Sequence, residues 1–150
     1  MPLALAACGF QPAYGPSGPA KGLQGRIRVN DPSSKNGFDL VQRLEERLGH
    51  PQAPVYDLSF SINTNTTGVG ITPDDSTTRY HLHGEVIWSL IKRESSQRVG
   101  GGRVTNFTAY SATGSTVAEL TSRVDAERRL MRMLGDQIVT QILATAETLK

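Results

Sequence analysis

The sequence predicts an α+β fold: a two-layer sandwich in which two helices lie on one face of a four-stranded mixed or antiparallel sheet. Residues 79–92 alternate between apolar and polar side chains, which indicates a strand with one buried face. Two other segments repeat their apolar residues at helical spacing. The resulting order, β-α-β-β-β-α, favours both helices on the same side of the sheet.

The alternation in residues 79–92 separates a buried side from a polar side. The buried side contains Tyr80, Leu82, Gly84, Val86, Trp88 and Leu90. The polar side contains Arg79, His81, His83, Glu85 and Ser89. A strand of this kind belongs to a sheet that is covered on one face and left open to water or to a partner on the other. We therefore expect Trp88 in the core and function on the open face.

Three further segments have strand character. Residues 26–30 place Ile27 and Val29 inward, residues 55–63 alternate with a period of two, and residues 103–113 form the last strand. The polar segment 63–78 is longer than the usual hairpin loop of about 2–5 residues, so either the strands extend into it or it is a functional loop. Residues 93–102 contain three successive glycines and are predicted to form a flexible connection.

The first helix is predicted to begin at a cap formed by Ser34 or Asn36 and to end at Gly49 in a left-handed conformation. Its apolar stripe consists of Phe38, Val41, Leu44 and Leu48. Its charged residues Arg43, Glu46 and Arg47 are interpreted as a solvated face, and His50 as a cation near the negative end of the helix dipole.

The last helix is predicted to begin with a capping box made by Thr116 and Glu119. Its apolar stripe consists of Val117, Leu120, Val124, Met131, Leu134, Ile138 and Ile142. A stripe of this length must cross the whole sheet.

Composition limits the possible classes of protein. A chain of 150 residues with 37% hydrophobic content suits one domain, which we place at residues 26–150. A net charge of +2 is too mild to indicate nucleic-acid binding. The apolar runs fall short of the roughly 18 residues that a membrane-spanning helix needs. Residues 1–25 are rich in Gly and Pro and are predicted to form a lipobox and a flexible tether.

The single cysteine, Cys8, follows Leu5, Ala6 and Ala7 in the pattern of a bacterial lipobox. Signal peptidases accept only small side chains beside the cleavage site, which explains the two alanines. Residues 1–7 lack the basic start of a signal peptide. The sequence therefore leaves two interpretations of Cys8, the lipid attachment site or a thiol in an unstructured tail.

Catalytic chemistry has weak support in the sequence. His81 and His83 would point to the same face of a strand and could share a metal with Asp57 or Glu85, as in a metal-dependent hydrolase. Only their spacing supports this alternative, and no nucleophile stands in a recognisable pattern with a base. We expect a protein that is not an enzyme and has no cofactor.

Five basic residues fall at the predicted strand ends: Arg79, Lys92, Arg93, Arg98 and Arg103. Arginine engages phosphate through two parallel hydrogen bonds, so these side chains are candidates for binding an anionic lipid. The alternative is a set of charges that keeps the sheet edges soluble.

The start of the chain resembles the LptE family of lipopolysaccharide-assembly lipoproteins. Residues 8–15, Cys-Gly-Phe-Gln-Pro-Ala-Tyr-Gly, match the mature start of that family. Three shorter similarities follow, at Thr78-Arg79-Tyr80, at Tyr110-Ser111, and at Asp125-Ala126 with Arg128 leading into the last helix.

The resemblance implies a lipoprotein anchored through Cys8 in the outer membrane, on the periplasmic side. Its domain would form a plug inside the β-barrel partner LptD, bind lipopolysaccharide and assist its delivery to the cell surface. Under this interpretation the five basic residues bind lipopolysaccharide. The main alternative is an auxiliary lipoprotein of an envelope ABC transporter, with a similar tether and a different partner.

Overall fold

A four-stranded mixed sheet carries two helices in the order that the sequence predicts. The computed structural model describes Gly18 and residues 22–71, 77–112 and 114–146. The elements are β1 (Ile27–Val29), α1 (Lys35–Leu48), β2 (Tyr56–Ile71), β3 (Thr77–Lys92), β4 (Gln97–Ser111) and α2 (Thr116–Thr145). The strand order is β1-β2-β3-β4, with β1 parallel to β2 and the other pairs antiparallel. The predicted α+β fold is confirmed.

The first helix begins and ends where predicted, but its apolar stripe is different. Ser34 is the N-cap, and its Oγ accepts a hydrogen bond of 3.1 Å from the Gly37 amide. Gly49 follows the last turn with φ +80°, a conformation that favours glycine. The buried stripe is Leu40, Leu44 and Leu48, whereas Phe38 is 60% exposed. Phe38 lies about 200° around the helix from Leu40, which turns it away from the sheet.

The strands β2 and β3 extend through most of the segment that joins them. Their register runs from Tyr56 opposite Lys92 to Ile71 opposite Thr77. The first alternative for residues 63–78, that the strands extend into the segment, is therefore correct. Residues 72–76 lie outside the described residues.

The last strand begins six residues earlier than predicted, at Gln97, so Gly100, Gly101 and Gly102 lie within β4. The predicted flexible connection at residues 93–102 is a turn only at residues 93–96, and its assignment to residues 97–102 was wrong. Gly101 and Gly102 instead make room for side chains. A Cβ atom on Gly102 would lie 2.7 Å from Gln141 Oε1.

The N-cap of the last helix lies one residue before the predicted cap, and the first turns of this helix are not buried. Ser115 is the N-cap and accepts a hydrogen bond of 3.3 Å from the Ala118 amide, so the prediction of Thr116 was wrong by one residue. Val117 and Leu120 are 74% and 61% exposed, contrary to the predicted stripe. The first buried residue of α2 is Ala126, because the earlier turns do not reach the core.

The core lies between the sheet and the helices and is centred on the inward residues of β3. Trp88 is 2% exposed, which confirms its predicted place. A Cβ atom on Gly84 would lie 2.8 Å from Leu130 Cδ2, so α2 passes very close to β3 at this point. Leu23, upstream of β1, also belongs to the core.

Charged side chains connect the two helices. Arg43 donates two hydrogen bonds of 3.0 Å to the Asp136 carboxylate, and Arg47 lies 3.3 Å from the same group. The hydrogen bonds to Asp136 and Glu46 raise the pKa of Arg43. The interpretation of Arg43 and Arg47 as a merely solvated face was therefore wrong: they join α1 to α2. The charge interpretation of His50 is untested, and its Nδ1 lies 3.3 Å from Glu45.

Candidate functional site

The candidate site is the sheet face that the helices leave open. Among the described residues, both helices pack on the side of Leu82, Val86 and Trp88, and the odd-numbered residues of β3 point the other way. Ile87 and Phe107 are 47% and 54% exposed on this open face. The face is otherwise dominated by hydroxyl, amide and charged side chains, as expected for a surface in contact with water or a polar partner.

The structure separates the five predicted basic residues into two groups. Arg79 stands near the start of β3, whereas Lys92 ends that strand, and thirteen residues of strand span about 43 Å. The alternation of β3 turns Lys92 toward the helix side. Arg93, Arg98 and Arg103 therefore share the half of the open face next to the turn at residues 93–96. Arg98 lies opposite Ile91 and Arg103 opposite Ile87, about 13 Å apart along the sheet.

Two of these three arginines already have carboxylate partners. Arg103 Nη1 lies 3.2 Å from Glu85 Oε2, and Arg93 Nε lies 3.3 Å from Asp57 Oδ2. Arg28, which is not one of the five predicted residues, also approaches Asp57, at 3.6 Å. Pairing of β1 with β2 brings Arg28 opposite Asp57, a register that the sequence pattern alone does not specify.

Arg98 has no carboxylate partner in the described part of the chain. Its Nε donates a hydrogen bond of 3.3 Å to the Gly100 carbonyl, and its guanidinium lies over Gly101. Gly101 has no side chain, so the guanidinium lies along the sheet. Its remaining N–H groups are free to bind an oxyanion.

An aromatic cluster occupies the middle of the open face. The Phe107 ring lies 5.5 Å from the His81 ring and 5.7 Å from the His83 ring, measured between centroids. Beside it lies a shallow hollow of about 280 Å³ whose lining includes Asn63, Asn65 and Thr105. These polar side chains can donate and accept hydrogen bonds.

Among the described residues, His81 and His83 have no third side chain with which they could hold a metal. Glu85 is paired with Arg103, and Asp57 is paired with Arg28 and Arg93. Among residues 22–71, 77–112 and 114–146, no three His, Cys, Asp or Glu side chains come together to hold a metal. The predicted attachment residue Cys8 and most of the predicted tether lie outside the described residues.

A second concave surface lies between the helices on their outer side. It has a volume of about 320 Å³ and is lined in part by Phe38, Glu46, Arg128 and Arg132. Its charges are mixed, since Arg132 lies 3.9 Å from Glu46. In the described part of the chain, no helix combines the length and hydropathy needed to span a membrane.

Solved structures of bacterial lipoproteins share this fold. A candidate lipoprotein from Caulobacter crescentus CB15 superposes with a TM-score of 0.72 at 19% identity, covering 86% of this chain and 96% of that one. Rare lipoprotein B from Shewanella oneidensis gives a TM-score of 0.63 at 12% identity, covering 83% and 96%. A minor lipoprotein from Acinetobacter baumannii gives 0.57 at 16% identity, covering 79% and 89%.

The sequence itself identifies the family. No individually curated protein matches the chain significantly. The family model described as LptE, lipopolysaccharide-assembly, matches residues 25–142, which include all six elements up to the last turn of α2. The chain belongs to the LptE family of envelope lipoproteins, which assist lipopolysaccharide assembly and are not enzymes.

Proposed function

We propose that this chain is an outer-membrane lipoprotein, attached through Cys8 on the periplasmic side, that binds lipopolysaccharide with its open sheet face. It acts there as the plug and accessory subunit of an LptD-type β-barrel. The observation that carries the proposal is the polar open face, which has a cluster of arginines at one end.

Arg98 and Arg103 are the residues most suited to contact lipid phosphates. Arg98 lies along the sheet with unpaired N–H groups, and the Arg103 side chain is 65% exposed while it contacts Glu85. Both can offer a planar set of donors to a phosphate. Arg93 stands at the same end but is held by Asp57. Arg79 is too distant to share a phosphate with them, so it contributes to a separate contact.

The open face also suits the interior of a barrel. The lumen of an outer-membrane barrel is lined by polar side chains, and the hydroxyl and amide groups of the face can form hydrogen bonds with such a lining. The two carboxylates of the face, Glu85 and Asp57, each already have an arginine partner, so the contact leaves neither of them buried without a counter-charge.

Stable attachment to the membrane depends on the number of acyl chains on Cys8. A single acyl chain gives only weak and reversible membrane binding, so stable attachment through Cys8 requires two or more chains. Mass spectrometry of the protein isolated from native membranes tests this part: we expect a lipid-modified Cys8, and an unmodified thiol would contradict the anchor.

Lipopolysaccharide binding is tested by replacing the two arginines. We expect Arg98→Gln with Arg103→Gln to weaken binding roughly fivefold at low salt and less at high salt, because salt screens exposed charges. Arg128→Gln on α2 is the matched control, since Arg128 is exposed on the other side of the protein. An equal loss in both proteins, or at every ionic strength, would contradict the proposed site.

The partner is tested separately. Affinity purification of the tagged protein from solubilised outer membranes should recover a large β-barrel protein. Recovery of an ABC transporter instead would favour the alternative function, and the absence of any barrel from a well-solubilised complex would reject the plug role.

A further inference from the structure

One edge of the sheet has no partner strand over most of its length. β1 pairs only with Tyr56, Asp57 and Leu58 at the start of β2. The last hydrogen bond on this side runs from the Asn30 amide to the Leu58 carbonyl, at 2.9 Å. From Phe60 to Ile71, no strand of the described residues pairs with this edge of β2.

The backbone of this edge is oriented for further pairing. The Leu58 carbonyl points toward β1, because it accepts the hydrogen bond from Asn30. Backbone direction alternates along a strand, so Phe60, Ile62, Thr64 and Thr66 also point their N–H and C=O groups outward. The intervening residues are bonded to β3. The edge therefore presents four successive donor and acceptor pairs.

The sequence of residues 58–68 lacks the charges and prolines that usually protect a sheet edge. Edge strands normally carry a lysine, a proline or a bulge that prevents pairing with another chain. Residues 58–71 contain no charged residue and no proline. The pairing of β2 with β3 is regular as far as Gly68, and the irregularities begin only between Gly68 and Gly70.

A second copy of the same edge fits these features well. The sequence before β1 contains Pro12, Pro16 and Pro19, a composition that disfavours pairing within a sheet. An antiparallel arrangement with a two-fold axis at Asn65 uses the regular part of the edge. It sets Thr64 opposite Thr66 of the second copy, and paired threonines stabilise neighbouring strands. No like charges meet, because this part of β2 has none.

We propose that two copies of this chain pair through the β2 edges, antiparallel and centred on Asn65, and form one continuous sheet. The inference goes beyond the proposed function and does not depend on it. In such a sheet both helical layers lie on one side, so the two open faces join into one surface. The paired form is a state of the free chain.

Disulfide trapping tests the register. In a Cys8→Ser background, Asn65→Cys places two thiols at a non-hydrogen-bonded pair, where the Cα atoms are about 4.5 Å apart. That separation is within the range of a disulfide, about 4.4–6.8 Å. Asn63→Cys is the matched control, because its equivalent in the second copy is displaced by four residues, about 13 Å along the strand. We expect Asn65→Cys to form the dimer at least roughly tenfold faster.

A proline variant tests the edge itself. Thr64→Pro removes an outward N–H group and leaves the bonds to β3 in place, because edge strands tolerate proline at such positions. We expect sedimentation of the wild-type chain to show a concentration-dependent dimer of the 16.2 kDa protein. Thr64→Pro should remain a monomer with unchanged circular dichroism. A wild-type monomer at all concentrations, or equal crosslinking of the two cysteine variants, would overturn the proposal.

Discussion

Trp88 Nε1 donates a hydrogen bond of 2.8 Å to Gln141 Oε1 and thereby ties the centre of β3 to the last turns of α2. The indole is 2% exposed, so its N–H needs a partner within the protein. Glycine at position 102 leaves space for this contact, because a Cβ atom there would lie 3.3 Å from Trp88 Nε1. The contact therefore fixes the position of α2 on the sheet at this point.

Loss of the Gln141 side-chain acceptor should destabilise the fold. We expect Gln141→Leu to lower the free energy of unfolding by about 1–3 kcal/mol, because the buried indole N–H is left without a partner. Urea unfolding followed by tryptophan fluorescence measures the change. Thr140→Ala, the exposed neighbour on α2, should change stability by less than about 0.5 kcal/mol. Similar values for the two variants would show that the hydrogen bond does not contribute.

Replacement by alanine should destabilise the protein at one of two neighbouring glycines of β4 and not at the other. Gly102→Ala should destabilise the protein by about 1–3 kcal/mol, because the new methyl group meets the Gln141 amide where it accepts the hydrogen bond from Trp88. Gly101→Ala meets only the flexible Arg98 guanidinium on the open face, so it should alter lipopolysaccharide binding and leave the melting temperature nearly unchanged. Thermal unfolding of both variants checks this, and equal destabilisation would contradict the assigned directions of the two glycines.

The contact between Arg43 and Asp136 should give a measurable coupling free energy in a double-mutant cycle. Arg43 and Asp136 form a paired contact that is partly exposed, so we expect a coupling free energy of about 0.5–1 kcal/mol. A double-mutant cycle with Arg43→Met and Asp136→Asn gives this value. The coupling should decrease in high salt because the pair is partly solvated. Additive effects of the two substitutions would show that the contact does not stabilise the helix pair.

The contribution of Tyr110 to the free energy of unfolding should depend on pH. Burial raises the pKa of Tyr110 above its ordinary value of 10.0. The unfolded chain loses this proton first as the pH rises, so the contribution is complete below about pH 10 and is lost as the pH passes through the higher native pKa. Tyr110→Phe should therefore lose less stability than the wild type above pH 10. Parallel stability curves for the two proteins would contradict the raised pKa.

The alternation of β3 was sufficient to predict the core position of Trp88 and an open sheet face, and the order of strands and helices then indicated the fold. The helical stripes were less informative, because Phe38, Val117 and Leu120 continue the apolar pattern where the helices no longer face the core. The glycines of β4 were assigned to a flexible connection, since the contact that Gly102 permits is with Gln141, which is distant in sequence. The grouping of the arginines depends on strand register, which residue spacing does not specify.

Photo-crosslinking in native outer membranes tests the role of the open face most directly. Phe107 on the open face and Phe38 on the helix side are 54% and 60% exposed, so a photoreactive phenylalanine at either position has similar access to partners. We predict adducts with lipopolysaccharide and with the β-barrel protein from position 107, and few from position 38. Adducts from position 38 with none from position 107 would contradict a functional open face.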